Sequence, residues 1–182
     1  GETLTLFAGD YLKLHDTPGI AITSTNPLIT TNNSYYFTAT YAESRQGIAL
    51  ADFASKSIAR KSYAVVKQDG DDISSEIIRR FTSRIKSDTG ADDCIKATYS
   101  IANSSHDFSE IIGKLKELNA ECVFLPLDPT LAKRFFIQAK ENGYTAPLFL
   151  GTDRWNDKDL QDYLTTEPIF DIAFPAARAA TT

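Results

Sequence analysis

The residues able to do chemistry in this 182-residue chain fall mostly in a few short segments. Asp69, Asp71 and Asp72 crowd one loop, Lys67-Gln68-Asp69-Gly70-Asp71-Asp72. Carboxylates at that density either hold a hard cation such as Mg2+ or cap the helix that follows, with Asp72 placed for the cap. Gly151-Thr152-Asp153-Arg154-Trp155 joins a Gly-Thr turn, an acid, a base and the only tryptophan. That set suits a small zwitterion held by charge pairing and stacking, with Asp153 taking an ammonium group. The alternatives are that Trp155 packs over the end of a sheet and that Asp153 caps a turn. Thr23-Ser24-Thr25-Asn26 offers hydroxyls and backbone N–H groups that accept a carboxylate without a charged partner, or forms a polar turn ahead of Pro27. Asp128 precedes Pro129 and reads as a helix N-cap, a task that competes with a ligand role.

Other reactive groups stand alone. His15 and His106 have no nucleophile or ligand pattern around them. The two cysteines, Cys94 and Cys122, are too few for a disulfide scaffold and are expected to be buried thiols. No G-x-G-x-x-G, G-x-x-x-x-G-K-[ST], C-x-x-C, H-E-x-x-H or G-x-S-x-G occurs, so the common nucleotide-binding and catalytic loops are missing. No catalytic residue, metal or cofactor is expected.

The elements that must position these residues alternate regularly. Tyr63-Ala64-Val65-Val66 reads as a strand, Asp72 to Lys86 as a helix with Ile73, Ile77, Ile78, Phe81 and Ile85 on one face, and Cys94 to Tyr99 as a strand. Asp107 to Leu118 is a helix, and Asp107 with Glu110 fits a capping box. Cys122 to Leu125 is an apolar strand, followed by a helix from Asp128-Pro129 to Glu141 that stops at Asn142-Gly143. Leu148 to Leu150, a short helix from Asp157 to Leu164, and a strand from Ile169 to Phe174 complete the series. Earlier, Glu43 to Ile58 reads as a helix, and Ile20 to Thr23 and Tyr35 to Thr40 as short strands; residues 1 to 19 give no clear pattern. Strand–helix alternation of this kind specifies an α/β fold, a three-layer doubly wound mostly parallel sheet with five main strands. In the usual doubly wound order the strands bearing Cys94 and Cys122 lie on opposite sides of the first, too far apart to bridge. Ligands of such sheets sit at the carboxyl ends of strands, where Asp69, Asp128, Asp153 and Trp155 fall.

Composition narrows the function. A formal charge of −5 and a pI near 5.0 leave no basic field for nucleic acid. No apolar run reaches the roughly 18 residues of a membrane span. The chain starts at Gly1 and holds no methionine, which reads as a processed chain or a fragment.

In order and spacing, several stretches resemble the extracellular solute-binding proteins of branched-chain amino acid (Leu/Ile/Val) ABC importers, with the type I periplasmic binding fold. They are Ile22-Thr23-Ser24-Thr25-Asn26-Pro27-Leu28-Ile29-Thr30, Tyr36-Phe37, Gln46-Gly47 with Ala51-Asp52-Phe53-Ala54, Asp107-Phe108-Ser109 and Val123-Phe124-Leu125-Pro126. Phe136 to Gly143, Ala146-Pro147 and Gly151 to Trp155 complete the match over about residues 20 to 174. The resemblance implies two α/β lobes with a solute trapped between them and delivered to a membrane permease, outside the cytoplasm. It assigns residues 1–42 to the end of a first lobe and crossover, 43–174 to a second lobe and 175–182 to a tail, with the remainder of the first lobe missing. It places Ser24 and Thr25 at the amino acid's carboxylate and ammonium, Asp128 over the ligand, and Asp153 at the ammonium. The family's tyrosine after the first strand of the second lobe is replaced by Asp69-Gly70-Asp71-Asp72-Ile73, which departs from an aliphatic amino acid pocket. A solute receptor is therefore the first expectation. A sensory module of the same fold and a Mg2+-dependent hydrolase or phosphoryl-transfer domain are the alternatives.

Overall fold

Successive residues of the central strands point to opposite faces of the sheet, and here both faces are buried. In the computed structural model, which describes residues 2–22, 24, 27–39 and 44–175, the chain forms two compact units, Gly1–Arg45 and Gln46–Thr182.

The second unit is built on β3 (Tyr63–Gln68), β4 (Ile95–Ile101), β5 (Cys122–Phe124), β6 (Leu148–Leu150) and β7 (Asp171–Ala173), all parallel in the order β4-β3-β5-β6-β7. Ala64 and Val66 of β3, Val123 of β5 and Phe149 of β6 face one core with Ile112 and Leu115 of α4 (Ser109–Leu118), Phe135 and Phe136 of α5 (Pro129–Glu141), and Leu160 of α6 (Lys158–Thr166). Tyr63, Val65, Cys122, Phe124, Leu148 and Leu150 face the other, against Leu50 and Ala51 of α2 (Ser44–Asp52) and Ile77, Phe81 and Ile85 of α3 (Asp72–Thr89). This is the α/β, doubly wound, five-stranded parallel sheet that the alternation predicts. Cys94, in the 3-10 turn Asp92–Cys94 that leads into β4 and not on the strand expected to start there, and Cys122, in β5, are buried free thiols, and β4 and β5 flank β3 on its two sides.

Caps set the helix starts, and two differ from expectation. Asp128 accepts from the Leu131 amide at 2.9 Å with Pro129 in the first turn, as the sequence requires. Helix α3 is capped by Asp71 rather than Asp72, because the Asp71 carboxylate accepts from the Ser74 amide at 3.2 Å. The capping box at α4 does not form. Asp107 accepts from the Ser109 amide at 2.9 Å, while Glu110 turns along the helix to Lys114 at 2.5 Å. The helix expected through Ile58 leaves α geometry after Asp52 and continues as one wider π-type turn, Phe53–Ser57, closed by Ile58 N–H on Phe53 O.

The first unit holds α1 (Glu2–Leu14), where the sequence shows no clear pattern, and a two-stranded parallel sheet of β1 (Gly19–Ala21) and β2 (Tyr36–Thr38). Leu6 and Leu12 of α1 pack on Ala21, Ile29 and Tyr36. Gly9 allows this, since a Cβ there would lie 2.9 Å from Tyr36 Cδ1. Leu4, Phe7, Leu14, Ile20, Ile22 and Phe37 remain exposed, so this unit's apolar surface is only partly covered by its own residues.

Candidate functional site

A doubly wound sheet offers a crevice beside the strand at which its order reverses, outside the carboxyl ends. That strand is β3, lying between β4 and β5, so the loops after β3, β5 and β6 form the candidate rim. A concavity of about 740 Å3 opens between the starts of α5 and α6 and the loop after β4, lined by Asn103, Asp128, Lys133, Arg134, Asp157 and Asp159 among others, while Asp69, Asp71, Asp153 and Arg154 lie outside its lining.

Side chains tie the rim together. Gln68 Oε1, at the end of β3, accepts from the Asp128 amide at 2.9 Å. The buried Ser74 hydroxyl lies 2.6 Å from Asp71 Oδ2 and 3.1 Å from Pro126 O, linking α3 to the loop after β5. Arg154 reaches Asp71 from the loop after β6, with Nη1 2.6 Å from Oδ2 and Nη2 3.4 Å from Oδ1. Beside it, Gln46 Oε1 accepts from the Asp153 amide at 3.0 Å. Burial pushes the Asp71 carboxyl up, but the Ser74 and Arg154 hydrogen bonds outweigh it and hold its pKa below the usual value.

Asp69 is exposed and Asp153 half-buried, and neither forms an ion pair with another described residue. Asp128 is half-buried, serves as a helix cap and is among the residues that line the concavity. Gln46 Nε2 and Thr152 Oγ1 are buried with no hydrogen-bond partner among the described protein atoms.

Trp155 is placed differently from the stacking expectation. Its side chain is 0% exposed and packs edge-on against Phe136 at 5.4 Å between ring centroids, with Phe174 beyond. Gly151 makes room for it, since a Cβ at that position would stand 2.0 Å from Trp155 Cδ2. The ring therefore packs over the end of the sheet, the alternative the sequence also allowed, and a solute at the rim meets no indole face. Ser24 lies in the first unit, its Oγ buried with no hydrogen-bond partner among the described residues, and Thr25 lies outside the described residues. Among the described residues no group of three or more His, Cys, Asp or Glu side chains is disposed to hold a metal. Asp71 and Arg154 satisfy one another, so the acidic loop read as a cation site spends one of its carboxylates on the rim.

Sequence reasoning missed Gln46, Gln68, Ser74 and the Asp71–Arg154 pair as rim residues. The partners lie 52 to 107 positions apart, and no local pattern marks them.

The family model described as periplasmic binding protein matches residues 3–179. No curated protein sequence matches the chain. Among solved structures, the fold is similar to a protein from Rhodospirillum rubrum named for branched-chain amino acid ABC transport, with TM-score 0.86 and 15% identity over 100% of this chain and 50% of that one. It is also similar to the branched-chain amino acid transporter substrate-binding protein LivJ of Streptococcus pneumoniae in complex with isoleucine (TM-score 0.75, 20% identity, 98% of this chain, 50% of that one). A solute-binding protein of an ABC transporter from Rhodopseudomonas palustris, in complex with 3,4-dihydroxybenzoic acid, matches with TM-score 0.62 and 19% identity over 86% of this chain and 42% of that one. The chain thus spans half or less of the length of these solved proteins.

Proposed function

We propose, from the premise that the chain belongs to the periplasmic binding protein family, that its second unit supplies part of a solute site at the carboxyl ends of β3, β5 and β6. The solute is small and polar, an amino acid or related carboxylate bearing an amino group, and it is delivered to the permease of an ABC importer outside the cytoplasm. The observation that carries this reading is the rim itself: Arg154 is neutralised by Asp71, while Asp69 and Asp153 have no ion-pair partner among the described residues. Carboxylates without an ion-pair partner in loops at the carboxyl ends of strands favour a solute with an ammonium group. Asp128 lines the neighbouring concavity together with Asp157 and Asp159, beside Lys133 and Arg134.

Ser24 and Thr25 are proposed as solute contacts on the family pattern alone. Trp155 supports the site from the core by shaping the Gly151–Trp155 loop. The exposed apolar residues of the first unit, Leu4, Phe7, Leu14 and Ile20 among them, support its assignment as part of a larger lobe completed by further chain. No helix among the described residues is long and apolar enough to cross a membrane.

Calorimetric titration of the chain with isoleucine, 4-aminobutyrate and 3,4-dihydroxybenzoate tests the reading. Saturable binding of an amino-bearing probe, weakened by Asp153→Asn, supports it. Binding of the non-amino carboxylate alone, insensitive to that substitution, overturns the ammonium assignment.

A further inference from the structure

Four loops or helix starts that sequence places far apart meet through side chains at the carboxyl ends of the sheet. Gln46 of α2 holds the Asp153 amide, Arg154 holds Asp71, Asp71 and Pro126 share the Ser74 hydroxyl, and Gln68 holds the Asp128 amide. The links are charge-assisted where they cross from the loop after β6 to the loop after β3. They are also sheltered: the Asp71 side chain is 10% exposed, and Ser74 and Gln46 are buried. The Arg154 side chain is 34% exposed, so the pair is partly buried and is screened by salt less than one on the open surface.

We propose that Asp71 and Arg154 are positioning residues that, with Gln46, Ser74 and Gln68, assemble the loops after β3, β5 and β6 into one rim before any solute arrives. That this rim is the solute's half-site rests on the function proposed above; that it is pre-assembled does not. Pre-assembly lowers the ordering cost of binding, because the loops are already held in one arrangement. It also commits Arg154: its guanidinium serves the rim, and Asp69 and Asp153 are left to read the solute's charge.

Two substitutions separate positioning from capping. Asn caps a helix about as well as Asp, so Asp71→Asn keeps an oxygen for the Ser74 amide at the start of α3, while its NH2 replaces Oδ2, the acceptor for Arg154 Nη1 and the Ser74 hydroxyl. Arg154→Gln removes the other partner and leaves Asp71 on Ser74. Backbone hydrogen exchange on the full chain, with no solute added, reads the amides of Asp153 and Asp128, with Val65 and Phe124 in β3 and β5 as controls. The expected result is exchange about tenfold faster at Asp153 in either variant, the effect of losing one charge-assisted hydrogen bond, with the double variant no faster than the singles and the controls unchanged. Asp71's pKa is held below the usual 3.8. Wild type therefore keeps the protection above that value and loses it as pH falls through the lowered one, whereas Asp71→Asn shows no such step.

Unchanged exchange at Asp153 in both variants overturns the proposal. A rise shared equally by the control amides overturns it as well, because it marks general destabilisation and not a local rim. Since the readout uses no solute, failure of the solute assignment leaves this result intact, and the two are told apart by the titration above.

Discussion

Replacing Trp155 by alanine tests how the Gly151–Trp155 loop is built. The indole is 0% exposed, covered by Phe136 and Phe174 and seated in the space that Gly151 leaves. A tryptophan side chain buries roughly 200 Å2, and at about 25 cal/mol per Å2 that area is worth about 5 kcal/mol. Alanine keeps a fraction of it and the surroundings relax partly, so the expected loss is about 4 kcal/mol, within the range for buried tryptophan truncation. That is a large part of the total stability of an ordinary domain, about 5–15 kcal/mol. Urea unfolding followed by far-ultraviolet circular dichroism is the assay, because the substitution removes the fluorophore. Trp155→Phe, which keeps an aromatic against Phe136, should lose clearly less. A loss below about 1 kcal/mol for Trp155→Ala would show an indole lying at the surface, and would restore a stacking role at the rim.

Further outcomes follow from other contacts. Gly47→Ala should destabilise by about 1–3 kcal/mol in the same unfolding assay, because its Cβ would stand 2.3 Å from Ile77 O and 2.9 Å from Phe81 N, both backbone atoms of α3. Asp128→Ala should cost about 1 kcal/mol through loss of the α5 cap, whereas Asp128→Asn, which caps equally, should be near neutral in stability. Cys94 and Cys122 are buried, and desolvation raises the Cys122 thiol far above its ordinary value, so a thiol reagent such as dithionitrobenzoate should label neither in the native chain and both in denaturant. Hydrogen bonds from Arg79 and then Arg80 lower Glu76 from 4.5 to about 2. Its stabilising contribution is therefore whole above about pH 4.5 and lost as pH falls toward 2, and Glu76→Gln should flatten that part of the stability profile.

Strands and their order were the legible part. Tyr63 to Val66, Cys122 to Phe124 and Leu148 to Leu150 are apolar on successive residues, which is how interior parallel strands must look when both faces are buried. Asp128-Pro129 fixed the start of α5 because cap and proline are local signals. Helix α1 was illegible because its apolar residues lie on two faces: Leu6 and Leu12 pack on the core, while Leu4, Phe7, Tyr11 and Leu14, three and four positions apart, form a stripe that stays exposed. At the candidate site the carboxyl-end rule located the loops, but not which acids are free. Whether Asp71 or Asp153 is neutralised depends on Arg154 crossing 83 positions of sequence to Asp71, which no spacing records. Trp155 was ambiguous for a related reason. Its burial is decided by Phe136, Phe174 and the missing side chain of Gly151 together, and only the folded chain assembles those three.

The central claim is that the loops after β3, β5 and β6 bind a small amino-bearing solute. Its most direct test is an amide chemical-shift titration of the isotopically labelled chain with isoleucine and 4-aminobutyrate. Saturable shifts clustered at Asp69, Asp128 and Asp153, and reduced in Asp153→Asn, are the predicted result. Saturable shifts clustered instead at the amino ends of the strands, around Glu121 and Tyr144, or the absence of any saturable shift at the rim, would contradict it.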